Sequence, residues 1–214
     1  MSLTEKTWEE ARELASRYDV RRSSLLPMLH LVQSYEGTVS ADGIALCAEV
    51  LELTTAEVAA VATFYTMYKR HSTGKHHVGV CINTLCGLLG GDEIWKAVSE
   101  ELDAGHDETT ADGMFTIEKI ECQAACTHAP VVTFDWEFFD DATVSGVREA
   151  ITKLRNGEEV FSTRGPKIGG IANTERQLAG FDDDLVHATA IDDKMLAGLL
   201  RAREVGQTLP ESEV

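Results

Sequence analysis

The chain has 214 residues, 43% of them hydrophobic, and carries 36 acidic against 19 basic side chains, a formal charge of -17. A core can form, but that charge repels phosphate backbones and anionic lipid headgroups, and no run reaches the roughly 18 apolar residues of a spanning helix. The opening MSLTEKTWEEARELASRYDV lacks the basic-then-apolar pattern of an export signal, so a cytoplasmic protein with reduced thiols is expected, whose clustered cysteines serve metal binding or catalysis.

Residues 1–74 are expected to be a helical bundle. Thr7-x-x-Glu10 has the form of a capping box, opening a segment with Ala11, Leu14, Ala15 and Tyr18 on one face. The apolar stretch LLPMLHLVQSY follows. Ser40 is placed to cap a third helix with Ile44, Cys47, Ala48 and Leu51 inward, and Thr54-x-x-Glu57 is a second capping box before AEVAAVATFYTMY. A helix-turn-helix DNA reader would need a basic surface, which this chain lacks.

From residue 75 to 156 the texture is that of a small α/β unit. HHVGVCI reads as a buried strand, and GGDEIWKAVSEELD as a helix capped by Asp92. DETTADG reads as a polar turn, MFTIEKIEC as a half-buried strand, APVVTFDWEFFDD as a strand pair and SGVREAITKLRNG as a closing helix. That order and size suit a thioredoxin-like unit. The adjacent Phe138 and Phe139 cannot both face inward, so one is either a docking residue or packed at a sheet edge. Residues 157–214 form a tail: FSTRGPKIGGIANT is glycine-rich, FDDDLVHATAIDD is acidic, and KMLAGLLRAREV alone looks helical. Such a tail is either disordered in isolation or an extended strap that folds onto a partner.

Four cysteines form two pairs, Cys81-x4-Cys86 and Cys122-x3-Cys126, each just after an expected strand. Neighbouring strands that end together would bring the two loops together and converge four thiolates. Both spacings are tolerated by zinc pairs, so spacing alone does not choose between zinc and an iron–sulfur cluster. The valine-rich strands give the unit a core that needs no zinc to fold, and the longer loops suit a bulkier binuclear cluster. A redox disulfide would want C-x-x-C and would leave Cys81 and Cys86 unexplained. Cys47, on the inward face of its helix, reads as an inert core thiol. His128 alone does not make a Rieske site, which takes two histidines.

On EVAAVATFYTMY, VCINTLCGLLGG, DETTADGMFTIEKIECQAACTHAPVV and STRGP, the chain resembles the 24-kDa thioredoxin-like [2Fe-2S] ferredoxin subunits of respiratory complex I, the family of the bacterial NADH-quinone oxidoreductase E subunits. The resemblance covers residues 5 to about 170. It implies an N-terminal helical bundle, a thioredoxin-like ferredoxin domain and one [2Fe-2S] cluster, with Cys81 and Cys86 on one iron and Cys122 and Cys126 on the other. It also implies partners: a 51-kDa-type flavoprotein that carries FMN and NADH, and a 75-kDa-type iron–sulfur protein of the peripheral arm on the cytoplasmic side of the membrane. The same module serves NAD-linked hydrogenases and formate dehydrogenases. Many family members have glycine where Ala124 stands, and Thr127 and His128 replace a common Gly-Asn pair.

Residues 75–156 hold 15 acidic and 6 basic side chains, a net of -9. Negative surroundings oppose reduction, so a low potential is expected, nearer the plant-type value of about -400 mV than the Rieske range. GLLGG and GPKIGG lack the spacing of a dinucleotide loop, and no nucleophile–base set stands out. Hydride and flavin chemistry are therefore expected on a partner, and one-electron transfer on this chain. A zinc-stabilised interaction module is the alternative from another class.

Overall fold

The structure is a computed structural model and describes residues 3–181 and 193–207. The bundle consists of α1 (Glu5–Ser16), α2 (Leu25–Glu36), α3 (Ala41–Leu51) and α4 (Thr55–Phe64). Helix α1 starts one turn before the Thr7 box: Thr4 is its N-cap, and Thr7, fully buried, closes the reciprocal bond in place of a glutamate. Glu10 is engaged elsewhere, accepting from the Tyr35 hydroxyl at 2.8 Å. The helix stops at Ser16, which leaves Tyr18 exposed instead of inward.

The other two caps form as their local chemistry dictates. Ser40 Oγ accepts from the Gly43 amide at 2.9 Å, and Thr54 and Glu57 exchange bonds at 3.2 and 3.0 Å. A Cβ on Gly43 would lie 2.2 Å from Val32 Cγ1, so glycine permits the close approach of α3 to α2. Met28, Leu29, Leu31, Val32, Leu46, Cys47 and Val58 fill the centre at 0% exposure. Truncating one of the leucines would cost about 2–5 kcal/mol.

The second unit contains β1 (His76–Cys81), α5 (Thr84–Leu88), α6 (Gly91–Leu102), β2 (Glu108–Thr109), β3 (Phe115–Ile120), β4 (Val132–Phe134), β5 (Glu137–Phe139) and α7 (Val144–Arg155). The sheet order is β2-β3-β1-β4-β5, with β1 and β3 parallel and the other pairs antiparallel. Val78, Val80, Phe115, Ile117, Val132 and Phe134 pack one face against Ile94 and Val98 of α6 and Val147 and Ile151 of α7. Strand β3 is buried except at Lys119, not half-buried as its alternation implied. Its second face is covered too: Glu118 is bonded to Lys69, and the neighbouring His77 lies under Trp136. Gly90, not Asp92, caps α6; Asp92 sits in the first turn, where its charge favours the helix dipole.

Beyond residue 157 the chain folds back on both units. Phe161 and Lys167 form an isolated bridge, and α8 (Ile171–Leu178) packs on α2. Glu175, 1% exposed, bonds His30 at 2.5 Å and Gln33 at 2.8 Å. Arg176 grips Glu10 through two bonds, while the Gly170 amide and Thr174 hydroxyl hold Asp135 at 2.9 and 2.8 Å. This part of the expected strap therefore packs on its own chain, helical and tied by polar hooks. Most of the acidic stretch, residues 182–192, lies outside the described residues. Helix α9 (Asp193–Glu204) rests against the turn at Cys126–His128, with Lys194 bonded to both Asp141 oxygens at 2.9 Å. Among the described residues no helix is long and apolar enough to cross a membrane.

Candidate metal centre

Parallel pairing sets Cys81, the last residue of β1, beside Ile120, the last of β3. Both chains thus leave the sheet at the same end, and the loops carrying Cys86 and Cys122–Cys126 emerge side by side. Asn83 Nδ2 donates to Glu121 Oε2 at 3.0 Å and ties the loops together. Gly91 lets α6 start against them, since a Cβ there would meet the carbonyl oxygens of Cys81 and Cys86 at 2.6 and 2.8 Å.

The pairs differ in exposure. Cys81 and Cys86 are buried at 1% and 3%, in an apolar floor with Ile120, Ala125 and Val131. Cys122 and Cys126 are exposed, their sulfurs 3.6 Å apart. Burial first, and then the Cys81 thiol, pushes the Cys86 thiol up to about 11, with a smaller contribution from Cys126. The Cys122 thiol chiefly pushes Cys126 up, and Cys81 adds to it across the two loops. All four sulfurs therefore share one electrostatic neighbourhood in which negative charge is costly without a cation. They come as two pairs; among the described residues no group of three metal-ligating side chains is placed to hold a single ion.

Ala124 adopts φ +56°, the left-handed region that favours glycine. His128 is 4% exposed, with Nδ1 at 3.3 Å from Asp141 Oδ2, so the ring braces the turn after Cys126. Cys47 lies in the bundle core, where burial pushes its thiol up to about 12. Phe139 packs tilted against Phe134, their rings 4.7 Å apart at 57°, and Phe138 packs by the cysteine floor under the Arg164 guanidinium at 3.9 Å. Both phenylalanines are half-buried within the chain, which is the edge-packing reading.

The second sheet face holds a polar chain that the sequence pattern did not disclose. His77 Nε2 lies 2.8 Å from Glu118 Oε2, and Lys69 Nζ donates to Glu118 and Asp107 at 2.8 Å each. His71 Nε2 meets Asp107 at 3.0 Å. Burial alone would raise the Glu118 carboxyl, but His77 and Lys69 hold it below the usual carboxylate range. Thr66 and Met67 of the TFYTMY segment line a cavity of about 210 Å³ with Glu118, Gln123 and Trp136, while Phe64 and Tyr65 are exposed beside it.

Residues 11–155 match the family model described as thioredoxin-like [2Fe-2S] ferredoxin. The E subunit of NADH-quinone oxidoreductase from Mycobacterium tuberculosis (strain H37Rv) is 51% identical over 174 residues, covering 81% of this chain and 69% of that protein. Its counterpart from Rickettsia bellii is 36% identical over 158 residues, 72% of this chain and 95% of that one. Among solved structures, an NAD+-reducing [NiFe]-hydrogenase aligns with a TM-score of 0.56 at 17% identity. That match covers 62% of this chain and 23% of the hydrogenase chain, so it speaks to the fold alone.

Proposed function

The chain belongs to the thioredoxin-like [2Fe-2S] ferredoxin family, and on that premise we propose that Cys81, Cys86, Cys122 and Cys126 hold one [2Fe-2S] cluster in an electron-transfer subunit of an NADH-quinone oxidoreductase. The observation that carries the ligand set is the parallel pairing of β1 with β3, which starts the two cysteine loops side by side at one end of the sheet. The donors fit the group: four thiols in two pairs, sharing one electrostatic neighbourhood, match two thiolates for each of two irons. Such a cluster, when bound, takes up and releases one electron.

The residues divide the remaining work. Cys81 and Cys86, with Ile120, Ala125 and Val131, make a dry floor, and Cys122 and Cys126 present the exposed edge that a donor approaches. FMN and NADH belong to a flavoprotein partner of the 51-kDa type, with a 75-kDa-type iron–sulfur protein as the next neighbour. The assembly is a peripheral arm on the cytoplasmic face. A second reading is the corresponding module of an NAD-linked hydrogenase or formate dehydrogenase, a module of the same fold; finding genes for membrane subunits beside this one would favour the quinone-linked complex.

Co-expression with the neighbouring flavoprotein tests the role. Anaerobic NADH should reduce the complex but not this chain alone, and dithionite, a stronger reductant suited to so low a potential, should then produce the EPR signal of one reduced binuclear cluster in the complex. A complex that takes up NADH electrons but gives no such signal with dithionite would refute the assignment.

A further inference from the structure

His77 is a buried imidazole with one nitrogen committed and the other open. It is 2% exposed, its amide donates to Asp135 Oδ1 at 2.8 Å, and its ring stacks on Trp136 at 4.7 Å and 18°. The Glu118 carboxylate can only accept, which assigns the hydrogen to Nε2 and leaves the lone pair on Nδ1. Among the described residues Nδ1 has no hydrogen-bond partner, and neither does the fully buried Thr133 Oγ1. Thr133 opposes Gly79 on the adjacent strand, so it shares with His77 the face that also carries Cys81. The open lone pair of Nδ1 is thus the one place on this ring where a further proton can be held.

We propose that His77 is a proton-loading site: Nδ1 takes up one proton from solvent water when the four-cysteine site at the end of its strand gains one electron. The electron comes from the one-electron donor that reduces the site, and the proton leaves again on reoxidation. The charge added at one end of the face is thus offset at the other. His77 and Cys81 lie on the same face of β1, four residues or about 13 Å apart, and Trp136, which covers His77, also packs against the cysteine floor. At an effective dielectric of about 20, one charge at that distance changes proton affinity roughly tenfold.

The surrounding charges suit a proton that comes and goes. Glu118 and Asp135 attract it, while Lys69 is already committed to Glu118 and Asp107 and keeps the carboxylate ionised. The other imidazoles nearby have separate partners: His76 pairs with Asp135 from the opposite face, His71 with Asp107, and His106 accepts from the Lys119 amide. Each of these three lacks the stack on Trp136.

The proposal rests on the cluster reading, and the experiment separates the two. EPR-monitored redox titrations of the loaded full chain are run from about pH 5.5 to 9, across the imidazole range. The tenfold affinity change corresponds to a total swing of about 59 mV, the potential falling as pH rises. His77→Gln, which keeps an amide donor for Glu118, should flatten the curve, and His71→Gln should leave it unchanged. Should His77→Gln fail to fold, Glu118→Gln keeps the imidazole and removes the carboxylate that attracts its proton; the swing should then move to lower pH. A flat wild-type curve, a swing that survives His77→Gln, or one unmoved by Glu118→Gln overturns the proposal while leaving the cluster intact. A chain that binds no iron overturns both.

Discussion

Ala124 sits at φ +56° between two of the proposed ligands, where its Cβ crowds the following carbonyl oxygen. That conformation costs an L-residue about 1–2 kcal/mol. Replacing Ala124 by glycine removes the cost in the folded loop, but it also gives the unfolded chain more freedom, which returns about 0.4–1 kcal/mol. The difference is a net stabilisation of about 0.5–1 kcal/mol, or roughly 1–4 °C in Tm for a chain of this size. Ala124→Val, with a branched side chain in the same conformation, should lose at least about 1 kcal/mol. Calorimetry on the iron-loaded chain and on its two variants reads both effects. A glycine variant that melts lower, or a valine variant that is neutral, would mean that the loop does not hold this backbone.

Two further outcomes follow from the same geometry. Cys81→Ser and Cys126→Ser should each abolish the visible absorption of the purified chain, whereas Cys47→Ser, in the bundle core, should keep it; retention in Cys126→Ser would contradict the ligand set. Glu118 is held below the usual carboxylate range, so its ion pair with Lys69 stabilises the fold above the unfolded-state value of about 4.5 and is lost as pH falls through the lower folded value. Urea titrations below about pH 4.5 should therefore show wild type losing more stability than Glu118→Gln; parallel curves would place the acid sensitivity elsewhere.

What was legible in the sequence was local or strongly patterned. Ser40 and the Thr54–Glu57 box announce their helices because a cap needs only a side chain and an amide three residues on. The start of α1 lies one turn earlier than its pattern suggests because Thr7, which looks like the opening of a box, is the residue that closes the real one from Thr4. The meeting of the cysteine loops followed from two apolar-patterned strands, HHVGVC and FTIEKI, that end at or just before each pair, although β2, two residues long, left no hydrophobic signal. Helix α8 was hidden for a different reason: it is held by Glu175, Arg176 and Thr174, and polar residues read as exposed unless their partners are known. The same holds for Glu118 and His77, whose burial depends on Lys69 and Trp136, both remote in sequence. The family resemblance carried a usable hint at Ala124, since the glycine that it implies there is the residue that best tolerates a positive φ.

The claim on which the rest depends is that four thiols from two loops hold a binuclear iron–sulfur cluster. Iron, acid-labile sulfide and zinc measured together on chain purified without oxygen test it most directly. About two irons and two sulfides per chain, with negligible zinc, are expected. About one zinc per chain, without sulfide or colour, would contradict the cluster and leave a zinc-stabilised module in its place.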